Sequence, residues 1–230
     1  MAVNDSTKAV LFDYGGTLDA DGIAWKDRFY PLYLAEHVEV DRDRYDRAFY
    51  AADDALVARR LSGCSLRESL LLLVTGVLEA LNMADPKLAL RLRDRFLQDS
   101  LDKIRSNIGV LRELSARFRL GIVSNFYGNL DQVCLETGLA PLMSVLIDSA
   151  CVGFIKPDPQ IFQAALAQLR LDPQEAIFVG DSLPRDMKGA KDLGMPHIWL
   201  VSDHPGPLLA PCCPDDPVIK SLSDLREILL

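Results

Sequence analysis

Basic residues are in short supply in this chain of 230 residues. Its 25 lysines and arginines face 33 aspartates and glutamates, leaving a formal charge of −8. A nucleic-acid backbone needs a cationic face that releases counterions, so that class of partner is excluded. An anionic small substrate is not, because a few local cations, a helix N-terminus or a metal override an acidic average. Cysteine is sparse and unpaired: Cys64, Cys134, Cys151, Cys212 and Cys213 show no Cys-x-x-Cys spacing, and their odd number fits reduced thiols better than a disulfide framework. The adjacent Cys212 and Cys213 stand in a proline-rich stretch over 203–217 and are assigned no role. The three histidines, His37, His197 and His204, have no metal-ligand spacing. The longest apolar run, LLLLVTGVL, is too short and too closely flanked by charge to cross a bilayer. The segment MAVNDSTKAVLFD has neither a basic stretch followed by an apolar one nor a cleavage site, so a cytoplasmic protein with no membrane partner is expected. Repeats and low-complexity tracts are also missing.

With 49% hydrophobic and 25% charged residues, the composition is that of an ordinary globular chain able to bury a sizeable core. Short apolar runs ending in small or acidic residues predict buried parallel strands: AVLFD (9–13), LGIVSN (120–125), SVLIDS (144–149), AIFVGD (176–181) and HIWLVS (197–202). Amphipathic stretches lie between them, with Asn107 before IGVLRELSARF and Pro159 before IFQAALAQLR as helix starts, and Gly138 and Gly194 as stops. Alternation of strand and helix predicts an α/β fold with a doubly wound parallel sheet. Residues 20–104 interrupt it with helical patterns only, at 25–37, 41–61, 65–82 and 86–100. Ser65 with Glu68 has capping-box spacing, and Asp85-Pro86 supplies an N-cap followed by proline. Such a stretch far exceeds a βα connection, so 20–104 is expected to be an inserted helical cap on a core formed by 1–19 and 105–230.

In an open parallel sheet, ligands bind outside the carboxyl ends of the strands. Asp13, Ser124 and Asp181 close three of the expected strands. Converging carboxylates resist ionising together, so Asp13, Asp181 and Asp186 call for a cation, and hard oxygen ligands on short loops favour Mg²⁺. Lys156, in the loop GFIKPDP, offers a second positive charge. A carboxylate attacking phosphorus gains from both. Asp and Ser are also common turn formers and helix caps, and Asp186 has the alternative of merely complementing a helix dipole.

VLFDYGGTLD, GIVSN, the lysine of GFIKPDPQIF and FVGDSLPRD occur in the order of the four motifs of the haloacid dehalogenase-like (HAD) superfamily, which the chain resembles over about 8–20 and 105–200. The resemblance implies that Asp13 is the nucleophile, and that Ser124 and Asn125, with Gly16 and Thr17, bind the substrate phosphate. It implies that Lys156 steadies nucleophile and phosphate, while Asp13, Asp181, Asp186 and the Gly15 carbonyl hold Mg²⁺. The substrate would be a small phosphorylated metabolite, hydrolysed through an aspartyl-phosphate by a monomer or homodimer.

Gly15 departs from the family pattern. Phosphatases of this superfamily carry there a second aspartate that protonates the leaving group and later activates water. Dehalogenases carry tyrosine, and phosphonoacetaldehyde hydrolase carries alanine with a cap lysine that forms a Schiff base, a role for which Lys26 is the nearest candidate. The pair Gly180-Asp181, which dehalogenases lack, favours phosphoryl chemistry. The alternatives are a phospholigand- or partner-binding protein without turnover and a haloacid dehalogenase- or phosphonatase-like hydrolase. Gly15→Asp is expected to restore the missing acid, except where Gly15 adopts a positive φ, which aspartate tolerates poorly.

Overall fold

The computed structural model describes residues 6–202 and 216–230; His204, the Cys212-Cys213 pair and most of the proline-rich stretch fall outside them. Six strands, β1 (Ala9–Phe12), β2 (Arg119–Ser124), β3 (Met143–Asp148), β4 (Ala176–Gly180), β5 (His197–Leu200) and β6 (Val218–Ile219), form one sheet in the order β3-β2-β1-β4-β5-β6. Every pairing is parallel. The helices are α1 (Trp25–Ala35), α2 (Arg42–Arg59), α3 (Leu66–Ala80), α4 (Pro86–Ser115), α5 (Leu130–Glu136), α6 (Ser149–Val152), α7 (Pro159–Leu169), α8 (Lys188–Asp192) and α9 (Leu225–Leu229). All five expected strands are present. The sixth, β6, is two residues long and so carries no periodicity to read.

Alternate residues of each strand serve opposite layers, which is why the runs are apolar throughout. Val10, Phe12, Ile122 and Val179 face Val110, Leu111 and Leu114 of α4, Val133 of α5 and Leu225 of α9. Ala9, Leu11, Val123 and Phe178 face Ile161, Phe162 and Ala165 of α7 and Ala190 of α8. The first of these clusters continues without a break into α1, α2, α3 and the first half of α4 through Phe29, Tyr45, Leu70 and Phe96.

Of the four helices between β1 and β2, α2, α3 and α4 start where side chains satisfy orphan N–H groups, whereas α1 has no side-chain cap. Ser65 and Glu68 form a reciprocal capping box, and the Asp85 carboxylate accepts from the N–H groups of Lys87 and Leu88. The expected helix start at Asn107 is absent, because α4 runs unbroken from Pro86 to Ser115. Asn107 is instead buried inside it and donates from Nδ2 to the Leu18 carbonyl at 3.0 Å, a tertiary bond that takes the place of a cap. Residue 104 therefore lies within a single helix, whose first half packs among α1 and α3 and whose second half lies against the sheet. Among the described residues no helix is long and apolar enough to cross a membrane.

Candidate active site

In this strand order the crossover direction reverses between β1 and β4, and a crevice opens beyond their carboxyl ends. Asp13 follows β1 and Asp181 follows β4, so the topology itself brings them together. The Asp13 N–H donates to the Val179 carbonyl at 3.0 Å, which anchors the backbone of Asp13 to β4. Oxygens of Asp13, Asp181 and Asp186 lie within 4.8 Å of one another. Ser124, the last residue of β2, donates from Oγ to Asp13 Oδ1 at 2.7 Å. Lys156 Nζ lies 2.7 Å from the same Asp13 Oδ1 and 2.7 Å from Asp186 Oδ1. Both contacts fall on one oxygen of Asp13, so Oδ2 is the one left for a ligand.

Electrostatics follow from this crowding. Burial, and then the charges of Asp186 and Asp13, push the Asp181 carboxyl well above the usual carboxylate range. Asp186 is raised as well, chiefly by burial, with Lys156 opposing and Asp13 adding to the shift. Burial of Lys156 favours its neutral form, but the carboxylates of Asp13 and Asp186 outweigh this and hold its pKa above the ordinary lysine value. The cluster is short of positive charge even with the lysine in place.

The other expected residues occupy supporting positions. Asn125 accepts from the Lys156 N–H at 2.7 Å through Oδ1 and donates from Nδ2 to the Lys156 carbonyl at 3.2 Å, clamping the backbone that presents the lysine. Thr17 is fully buried and donates to Asp181 Oδ1 at 3.2 Å. Gly16, not Gly15, has the positive φ, at 91°, and a Cβ there would stand 2.6 Å from Asp181 Oδ2. Gly16 and Thr17 thus sit behind Asp181, and neither is among the residues that line the cavity over the site. That cavity, of about 280 Å³, is walled on the sheet side by Asp13, Gly15, Ser124 and Lys156 and on the helical side by Trp25, Lys26, Tyr50 and Asp53. Lys26 is less exposed than its sequence context suggests, and its ammonium pairs with Asp46 at 2.8 Å and Asp27 at 3.5 Å.

The sequence reading missed Asp19 and Trp25. Gly15 has an ordinary backbone conformation (φ −77°, ψ 117°), yet a Cβ there would lie 3.1 Å from Trp25 Nε1 and 3.4 Å from two ring carbons. The indole covers the space a side chain at 15 would enter. It is held there by Asp19, whose Oδ2 accepts from Trp25 Nε1 at 2.7 Å, Arg28 Nη1 at 2.8 Å and Ser100 Oγ at 3.0 Å. The other Asp19 oxygen accepts from the Gly16 N–H at 2.8 Å. Edge-on rings of Tyr14, Phe96 and Phe126 enclose the indole. The expected rescue by Gly15→Asp is therefore revised. The substitution should leave turnover of alkyl phosphates unimproved and lower stability by about 1–3 kcal/mol, as overpacking does. Denaturant unfolding alongside phosphate release checks both, and a faster, equally stable variant would show that the indole gives way.

A doubly wound parallel sheet with three carboxylates and a buried lysine at its switch point defines an α/β protein with a site shaped for a cation and an anionic group. Residues 7–194 match the haloacid dehalogenase-like hydrolase family, and the chain belongs to it. Haloacid dehalogenase-like hydrolase domain-containing protein 3 from Bos taurus is 33% identical over 112 residues, 48% of this chain and 45% of that protein. Phosphoserine phosphatase from Thermus thermophilus is 36% identical over 93 residues, 40% of this chain and 35% of that one. The chain spans about half the length of the curated relatives it matches. Among solved structures, a HAD phosphatase from Thermococcus onnurineus superposes with a TM-score of 0.55 at 28% identity, covering 97% of this chain and 98% of that one.

Proposed function

We propose that this chain is a Mg²⁺-dependent phosphohydrolase that transfers the phosphoryl group of a small phosphorylated metabolite to Asp13 and then to water. The observation that carries this reading is the one-sided restraint of Asp13. Ser124 and Lys156 both hold Oδ1, which leaves Oδ2 of this cavity-lining residue as the nucleophilic oxygen. Asn125 keeps the lysine in register by its paired backbone bonds. Lys156 meets the charge of the phosphoryl group as it passes, at a point where burial excludes water and strengthens the interaction. The helical lobe closes the other side and would select the rest of the substrate.

Mg²⁺ fits the donor set, because clustered hard carboxylate oxygens with raised proton affinity are what an oxygen-loving divalent cation replaces protons on. Asp13, Asp181 and Asp186 would hold it with the Gly15 carbonyl, and it would supply neutralisation of phosphoryl charge. A dependence on pH tests this part. Asp181 and Asp186 keep protons in the folded state that the unfolded chain releases, so metal-free stability falls as pH rises above the ordinary carboxylate range. Mg²⁺ takes the place of those protons, so its stabilisation grows with pH and reaches about 2.7 kcal/mol at a hundred times Kd. Thermal unfolding from mildly acidic to neutral pH should show a Mg²⁺ shift that widens with pH and vanishes in Asp181→Asn. An identical melting temperature with and without Mg²⁺ at every pH would remove the metal from the proposal, and phosphate release from a panel of esters, with and without Mg²⁺, tests the activity itself.

A further inference from the structure

The space at Gly15 is closed by Trp25, whose only ring N–H already donates to Asp19 at 2.7 Å. Among the described residues, beyond the groups that hold phosphate and metal, the remaining donors on the sheet side of the cavity are Ser182 and Arg185, which donates from Nε to the Ser182 hydroxyl, and neither is an acid that gives up a proton near neutral pH. On the helical side most ionisable groups are committed to one another. Lys26 pairs with Asp46 and Asp27, and Asp27 pairs with Arg42. Asp53, on α2, lines the same cavity and, among the described residues, has no ammonium or guanidinium within ion-pair distance. The Tyr127 hydroxyl donates to its Oδ1.

We propose that Asp53 is the acid and base of the reaction, delivered from the helical lobe to do what a side chain at position 15 cannot. The assignment rests on the aspartyl-phosphate reading above. Three features place it. Tyr127 is three residues beyond Ser124, so one short loop holds Asp13 at one end and Asp53 at the other. The Leu61 N–H donates to the Tyr127 carbonyl at 2.6 Å, which ties the end of α2 to that loop. Tyr127 donates to Oδ1, which leaves Oδ2 of this cavity-lining residue as the oxygen to carry the proton. Burial raises the proton affinity of Asp53, with the Asp54 charge adding; the Tyr127 bond and the Arg185 charge oppose, and the balance is upward. Tyr127 is itself pushed well above the usual tyrosine range by burial and by Asp53, so it remains a donor.

In the first step the Asp13 oxygen bonds to phosphorus as the ester P–O bond breaks. The leaving oxygen keeps the electron pair and takes the proton of Asp53, giving an alcohol. In the second step water attacks phosphorus and loses a proton to Asp53. The bond to Asp13 breaks, its electrons return to the carboxylate, and phosphate departs.

The test uses the full chain with Mg²⁺ and a series of aryl phosphates running from p-nitrophenyl to p-methoxyphenyl phosphate. Wild type should show kcat/KM nearly independent of leaving-group basicity. Asp53→Asn, which keeps the bond from Tyr127, should lose about 10²–10⁴-fold on the most basic leaving group and far less on p-nitrophenol, the range expected for a general acid. It should also release a burst of p-nitrophenol while phosphoenzyme accumulates, because the second step lacks its base. Tyr127→Phe removes a bond that favours the carboxylate, so the alkaline limb of the pH profile should move to higher pH. Equal leaving-group dependence in wild type and Asp53→Asn overturns the assignment. Mg²⁺-dependent beryllium fluoride binding, lost in Asp13→Asn, reads the nucleophile separately. If it occurs while wild type cleaves no ester, the assignment of Asp53 falls alone; if it is absent, the aspartyl-phosphate reading falls with it.

Discussion

Asp13→Asn should abolish phosphate-ester turnover, with a loss on the order of 10⁶-fold, the scale seen when a covalent nucleophile is removed. The amide has nearly the same shape and can still accept from Ser124, so the loss would be chemical. The melting temperature should move little, because Lys156 loses one of its two carboxylate partners while the other carboxyls are relieved. Asp13 is one of the charges that raise the proton affinity of Asp181 and Asp186, and removing it relieves both. Steady-state phosphate release together with thermal unfolding separates the two effects. Residual turnover above about one per cent of wild type would place the nucleophile elsewhere, since contamination and deamidation account for far less.

Lys156→Met carries the second large effect, this time on stability as well as rate. The ammonium is 2.7 Å from carboxylates of Asp13 and Asp186, and all three residues are buried. Removing one member of such a cluster leaves uncompensated charge and typically costs about 3–5 kcal/mol, whereas removing both members is often neutral. Lys156→Met should therefore unfold at much lower denaturant concentration, and adding Asp186→Asn should recover part of the loss. The pH dependence has a definite sign. The folded pKa of Lys156 lies above the unfolded value of about 10.4, so its contribution is complete below that pH and is lost as pH rises through the folded value. Wild type and Lys156→Met should converge in stability only in strong alkali. A loss below about 1 kcal/mol at neutral pH would mean the cluster is screened by water.

The elements that position the chemistry were legible because each is a local signal. Apolar runs ending in Asp13, Ser124 and Asp181 mark strands by composition alone, and a doubly wound order brings their ends together whatever the details of packing. Ser65 and Asp85 announced their helices by contacts within three residues. What could not be read depends on partners far apart in the chain. Asn107 looks like a cap until Leu18, 89 residues away, is found to accept its amide proton. Asp19 sits in the first motif beside better-known positions, and its importance comes from Trp25, Arg28 and, 81 residues on, Ser100. Tyr127 and Asp53 are separated by 74 residues, with no spacing rule to connect them. The Gly15 position shows the difference well: its missing side chain was plain in the sequence, while the indole that fills the gap is that of Trp25, at the start of α1.

The most direct measurement is chemical identification of the phosphoryl carrier. Enzyme with Mg²⁺ would be mixed with p-nitrophenyl phosphate, quenched in acid within the first turnovers and reduced with borohydride, which converts an acyl phosphate to a primary alcohol, before peptide mass spectrometry. Reduction at Asp13 alone, dependent on Mg²⁺ and absent without substrate, is the expected result. A protein that turns over the ester while Asp13 is recovered unmodified, or that carries the label on another residue, would contradict an aspartyl-phosphate at this site.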